Sequence, residues 1–153
     1  MQKQNLFVTH GGTSYAGYDY EALPLEAALV VVVQQIDLVA DQSRVAILGE
    51  TSRLSEYLLV EQEARVFADI QFEGEMPLAV KAWADAANLS PQAAAESILA
   101  EAHAWKTALY AIRAARLKGK QSALKAGSHE EAEAIADQAI AAIRASVVGV
   151  GNA

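Results

Sequence analysis

The feature that most limits what this chain can become is the stretch Ser90 to Gly127, SPQAAAESILAEAHAWKTALYAIRAARLKGKQSALKAG, which carries the marks of one long helix at both ends. Ser90 fits the N-cap, since its hydroxyl can accept a hydrogen bond from an unpaired amide of the first turn. Pro91 fits the first helical position, where a missing N–H costs nothing. Gly127 fits the C′ position, because a residue without Cβ enters the left-handed conformation cheaply. Between them Ile98, Ala102, Trp105, Leu109 and Ile112 recur at steps of 4, 3, 4 and 3 and share one face. At ~1.5 Å per residue such a helix is roughly 54 Å long. It requires other long helices beside it.

The rest of the chain supplies candidates. From Pro24 onward Leu25, Leu29, Val32, Ile36 and Val39 step 4, 3, 4 and 3, a heptad-like seam. The β-branched run Val30 to Val33 is locally a strand signal, but the helical phase continues past it to Val39, which favours helix. A helix apolar on nearly all sides must be covered on all sides, and in a short chain other subunits are expected to contribute the cover. Gly49 interrupts the pattern, and Glu50 to Arg53 read as a break or as a weak spot in one longer helix. Tyr57, Val60, Ala64 and Phe67 then step 3, 4 and 3, giving a helical face that runs to about Ile70. A turn follows around Gly74, then a short helix from Pro77 through Val80, Trp83 and Ala87. After Gly127, Ser128 and Glu131 have capping-box spacing, and the helix they open puts Ala132, Ala136, Ile140, Ile143 and Val147 on one face, ending at Gly149.

The first twenty residues differ from all this: three glycines and three tyrosines among small polar residues, with a short strand signal at Leu6 to Thr9. Such a segment cannot build its own core. It is an arm, either mobile or ordered by another chain with Phe7, Tyr15, Tyr18 and Tyr20 as anchors, or else a segment that packs back on its own bundle. The expected organisation is therefore an arm over 1–20, a helical bundle over 21–148 and a flexible tail over 149–153. The fold class is all-α, an elongated antiparallel bundle of long helices with an irregular N-terminal arm. Its expected core includes Tyr57, Phe67, Trp83, Ile98, Trp105, Leu109, Ile112, Ile140 and Ile143. The expected interface is Phe7, Tyr15, Tyr18, Tyr20, Leu25, Leu29, Val32, Ile36 and Val39.

Composition narrows the function classes. Hydrophobic residues are 53% of the chain, much of it alanine, which favours helices that approach closely. A net charge of −7 argues against a whole-chain nucleic-acid binder. Locally, Arg113, Arg116, Lys118, Lys120 and Lys125 make the end of the long helix basic, either as a docking patch for an acidic partner or as cations favoured by the helix dipole and solvation. With no cysteine there is no disulfide, thiolate nucleophile or Cys-based zinc site. The apolar run Ala27 to Val33 is too short to span a bilayer, and the amino terminus has no basic segment leading into a hydrophobic one, so neither a membrane nor a secretion signal is expected.

Catalytic patterns are absent. His10, His103 and His129 are far apart in sequence, none with a second ligand four residues away. His10, Ser14 and Asp19 are the residue types of a hydrolytic triad, yet their glycine-rich setting announces neither a rigid frame nor an oxyanion hole. Gly11-Gly12-Thr13-Ser14 lacks the lysine and the strand-to-helix setting of a phosphate loop and reads as a flexible turn. Trp83 and Trp105 could stack on a ligand, but tryptophans on helix faces are ordinarily core. No enzyme activity, cofactor or metal is expected.

The middle of the chain resembles small helical proteins encoded in the tail regions of tailed-bacteriophage genomes. The resemblance rests on Glu56-Tyr57, Glu63-Ala64 with Phe67, Pro77 with Val80 and Trp83-Ala84, and then on Ala94-Ala95, Ile98-Leu99, Trp105, Ile112-Arg113, Arg116-Leu117 and Lys120, with the ending Gly149-Val150-Gly151-Asn152. It covers Asp37 to Asn152, leaves the arm outside, and departs at Ile70-Gln71-Phe72, where an Ala-Gly-Tyr-like turn is usual. It implies a virion structural component of the tail, tail fibre or baseplate, made in the host bacterial cytoplasm. Its implied partners are itself, as a homo-oligomer with a trimer among the options, and other tail or fibre proteins. A tail-fibre assembly chaperone and a non-phage helical adaptor are the alternatives.

Overall fold

A computed structural model describes residues 1–49 and 51–150, the side chains of 51–53 excepted. Among the described residues the chain is mostly helical, with five α-helices and one two-stranded sheet. The order is β1 (Leu6–His10), β2 (Thr13–Tyr18), a 3-10 turn (Tyr20–Ala22), α1 (Leu25–Leu48), α2 (Thr51–Asp69), α3 (Leu78–Ala87), α4 (Pro91–Ala123) and α5 (His129–Ala145). Cα packing divides it into two compact units: Met1–Arg44 with Leu109–Val148, and one built on Val45–Ala108. This division cuts across the expected one of arm, bundle and tail, because α1 and α4 each contribute to both units. Residues 151–153 of the expected tail, and Glu50 of the expected break, lie outside the described residues.

In the first unit the amino-terminal segment is an antiparallel hairpin and not an irregular arm. Gly11 and Gly12 both have positive φ, +56° and +82°. Two such residues in succession make the tight turn whose twist matches that of the flanking strands. The expected flexible turn is thus an ordered one. Alternation along β1 buries Leu6 and Val8 and leaves Phe7 in solvent. The hairpin is held to its own unit: the amino terminus pairs with Asp137 at 2.5 Å, Lys3 with Glu133, and Gln2 exchanges two hydrogen bonds with the Gln35 side chain at 2.7 and 2.8 Å. Tyr20 is fully buried, its ring edge-on to His129 at 5.3 Å and its hydroxyl donating to the His129 carbonyl at 3.3 Å.

The seam of α1 faces this same unit. Val32 and Ile36 are fully buried, and next to them Asp37 accepts hydrogen bonds from Arg116 at 2.9 Å and Lys120 at 2.5 Å, both on α4. Burial pushes the Asp37 carboxyl up, but the Lys120 and Arg116 contacts outweigh it and hold it below the ordinary carboxylate range. Gly119 of α4 sits where an added Cβ would meet the Cβ of Ala139 on α5 at 2.5 Å, so only glycine permits that approach. Tyr20, Val32 and Ile36, three of the expected intersubunit contacts, are therefore core of their own chain. Ile36 of the heptad-like seam meets α4 at Gly119, beside Ala139 of α5.

The second unit gathers Ala64 and Phe67 of α2, Val80 and Ala84 of α3, and Ala94 and Ala95 of α4 into one buried cluster. Small residues at these positions let the backbones come close. Phe72 closes the cluster from the connecting turn, edge-on to Phe67 at 5.7 Å, with Gln71 and Phe72 both at positive φ. Glu63 accepts the Ala79 amide at 3.0 Å and so caps α3 from a neighbouring helix, where Pro77 at the N-cap has no side-chain oxygen to offer.

The ends of α4 differ in how they meet expectation. Ser90 Oγ accepts the Ala93 amide at 3.2 Å, as an N-cap should. The helix stops at Ala123, four residues before Gly127, and Gly127 is not left-handed. Its amide instead donates to Glu131 at 2.8 Å, while the Glu131 amide donates to Ser128 Oγ at 3.2 Å. Gly127 thus belongs to the capping box that starts α5.

Candidate docking groove

Within the second unit the last turn of α1, α2, α3 and the first half of α4 leave an open apolar groove of about 1060 Å³. Its walls include Tyr57, Leu59, Leu78, Trp83, Ile98 and Trp105. The cause lies in α2. Tyr57-Leu58-Leu59-Val60 places four apolar residues in succession, and at ~3.6 residues per turn these point all round the helix. The face of α2 that carries Ala64 and Phe67 joins the buried cluster. The others have nothing in the unit to cover them, so Leu59 is 56% exposed and Leu78, across the groove on α3, is 82% exposed.

Glu61, Glu63, Trp83 and Ser97 at the groove's edge are hydrogen-bonded. Glu61 is almost completely buried, and its Oε1 accepts from Lys106 Nζ and Arg65 Nη2, each at 2.5 Å. The Lys106 contact is the main reason that its carboxyl lies below the ordinary range; burial opposes the shift and Arg65 reinforces it. Lys106 also lies 5.4 Å from the Trp105 ring centroid. Trp83 Nε1 donates to Ser97 Oγ at 2.8 Å, and that hydroxyl donates onward to the Ala94 carbonyl at 2.9 Å. This fixes the indole at the rim with its apolar faces available. Glu56 and Glu101 also line the groove.

Such an arrangement can bind an apolar surface; it presents no nucleophile beside a base. His129 bonds the Leu23 carbonyl at 2.9 Å, and Ser14 pairs with Thr9 at 3.0 Å rather than with His10. Among the described residues no group of three metal-ligating side chains occurs, and no helix is long and apolar enough to cross a membrane.

The expected core holds at Phe67, Trp105, Ile112, Ile140 and Ile143, which are buried, while Ile98 and Leu109 are half-buried. It fails at Tyr57 and Trp83, both exposed on the groove. They step correctly toward a helix face, but that face has no covering layer in its own unit. Of the expected interface, Phe7 and Tyr18 are exposed, and Tyr15, Leu25, Leu29 and Val39 are half-buried. Phe7 lines a second, smaller depression of about 180 Å³ with Val31 and Leu38 in the first unit. Leu59 and Leu78 were not anticipated, although the unbroken run Tyr57 to Val60 signals a helix in need of cover. No known protein family, curated protein or solved structure matches the chain.

Proposed function

We propose that this chain is a structural component of a bacteriophage tail, tail fibre or baseplate, an oligomeric helical scaffold whose groove seats an apolar segment of a neighbouring virion protein. The observation that carries the docking role is the groove itself: an apolar trough whose walls leave Leu59 and Leu78 in water while Glu63 and the Trp83 indole beside them are already hydrogen-bonded. Covering such a surface is favourable by about 25 cal/mol per Å² of apolar area removed from water. The likeness to phage tail-region proteins across Asp37 to Asn152 supplies the setting, the virion. An antiparallel course of α2 and α4 is part of the proposal. It is supported by the pairing of Glu61 with Lys106 and by a core that groups Ala64 and Phe67 with Ala94 and Ala95, since numbers that rise along α2 fall along α4.

The assembly contact therefore moves from the Leu25 to Val39 seam to the groove. Phe7 and Tyr18 on the hairpin remain a second contact. Leu59→Glu, made in a phage that encodes this chain, tests the reading because Leu59 is exposed and the substitution leaves the core intact. Particles should lose the protein or fail to complete their tails, with the purified variant retaining its helix content. Normal particles carrying the variant in wild-type copy number would overturn the proposal. Wild-type protein absent from finished particles would replace the scaffold by an assembly chaperone.

A further inference from the structure

Resting on that docking role, we propose that the groove's occupant is a second copy of this chain, presenting the ridge Tyr110, Leu117 and Leu124. These three are 73%, 40% and 55% exposed and recur at steps of seven. Residues seven apart on a helix drift only ~20° per step, so they form a single seam. Leu124 continues the helical turn beyond α4 through the hydrogen bond its amide donates to the Lys120 carbonyl at 3.1 Å. The opposite face, with Ala108, Ile112 and Ala123, is the buried one.

Cations flank the ridge. Arg113 lies on one side, Lys118 and Lys125 on the other, and all three are exposed. Arg116 and Lys120 are consumed by Asp37, but among the described residues Arg113, Lys118 and Lys125 enter no ion pair. The groove carries the complementary sign. Glu61 is neutralised by Lys106 and Arg65 and Glu63 is spent on the Ala79 amide, whereas Glu56 and Glu101 are in no ion pair among the described residues. On a chain of net charge −7, copies repel at long range, and this cationic ridge is the local exception that can approach an acidic rim.

The lengths agree. Groove-lining residues on α4 run from Ser97 to Trp105 and on α2 from Glu56 to Glu63, roughly 12 and 10.5 Å at 1.5 Å per residue. Successive ridge residues are about 10.5 Å apart by the same rise. The groove accommodates Tyr110 and Leu117 together, with Arg113 and Lys118 set against Glu56 and Glu101. Ridge and groove are different surfaces of the same chain, so the contact is head-to-tail and leaves a free groove and a free ridge on each pair, able to add further copies.

Sedimentation velocity on the full chain tests this. The wild type should associate with concentration. Glu56→Lys with Glu101→Lys, or Arg113→Glu with Lys118→Glu, should each weaken self-association about tenfold or more. Mixing the two variants should restore it, since each groove then meets a ridge of opposite charge. Tyr110→Ser, at an exposed position, should weaken association with helix content and melting unchanged. A wild type monomeric to ~100 µM, association indifferent to both charge reversals, or a mixture that fails to recover would overturn the inference. The docking role is judged separately: if Leu59→Glu still blocks incorporation into particles, the groove serves another protein; if it does not, both readings fall.

Discussion

Replacing Gly119 by alanine should destabilise this chain, although position 119 is in the interior of a 33-residue helix where alanine is intrinsically preferred. Helix propensity alone favours the substitution by about 1 kcal/mol. The new Cβ, however, would lie 2.5 Å from the Ala139 Cβ and 3.3 Å from Ile36 Cδ1. Carbon contacts rest at about 3.5–4.0 Å, so α5 must retreat by about 1 Å. Overpacking of this kind costs about 1–3 kcal/mol, and here the neighbours are buried and have little room to yield. With the upper part of that range, about 2–3 kcal/mol, set against the propensity gain of about 1 kcal/mol, packing should win by about 1–2 kcal/mol, which at about 2–4 °C per kcal/mol for a chain of this length lowers Tm by roughly 2–8 °C. Thermal melts followed by circular dichroism read this directly. Ala139→Gly in the Gly119→Ala background removes the clashing carbon and leaves Ala139 Cα at 3.9 Å, so the double variant should be more stable than the sum of the single effects predicts. A Gly119→Ala variant that melts above the wild type would refute the close approach of α4 and α5.

Further expectations follow from the same packing and charges. Trp105→Ala should cost about 3–5 kcal/mol in urea unfolding because the indole is buried, while Trp83→Ala, at the open rim, should cost well under half as much; equal losses would contradict the groove. Asp37 and Glu61 have carboxyls held below their ordinary values of 3.8 and 4.5. Their contribution to stability is complete above those values and is lost as pH falls through the lower, folded ones, so an Asp37→Asn/Glu61→Gln variant should be less stable near neutrality and show a flatter acid limb in Tm against pH. The Tyr20 phenol is pushed up to about 12 by burial, with Glu133 and Glu21 adding to the shift. Its stabilisation is full below its ordinary value of 10.0 and lost as pH rises toward about 12, and Tyr20→Phe should flatten the alkaline limb and cost about 0.5–1.5 kcal/mol through the lost hydrogen bond to His129.

What could be read from the sequence was local. Ser90 and Ser128 cap as their side chains require, and the 3-4 steps through Trp105 to Ile112 and through Ala132 to Ile143 do face inward. The identity of the covering surface could not be read. The Leu25 to Val39 seam specifies that some helix lies against it, and spacing cannot distinguish a helix of the same chain from one of another. Gly119 is the residue that decides this, since its missing Cβ admits Ala139 beside Ile36, yet in the sequence it is only a glycine among helix formers. Tyr57 and Trp83 show the reverse case: their periodicity marks a face, and burial depends on a layer that the second unit does not supply. Gly127 was misplaced because a glycine after a helix and a glycine before a capping serine occupy the same position in the sequence.

The central claim, that the groove of α2, α3 and α4 is a protein-docking surface, is tested most directly by a photo-activatable amino acid in place of Leu59, with the exposed Glu130 of α5 as the control position. Irradiation of the purified chain at associating concentration, and of phage particles if the proposed virion setting holds, followed by mass spectrometry of the adducts, should crosslink position 59 to a defined segment of a neighbouring chain, foremost the Tyr110 to Leu124 ridge of another copy, far above the yield at position 130. Crosslinks no more frequent than at the control, or confined to the same chain, would contradict it.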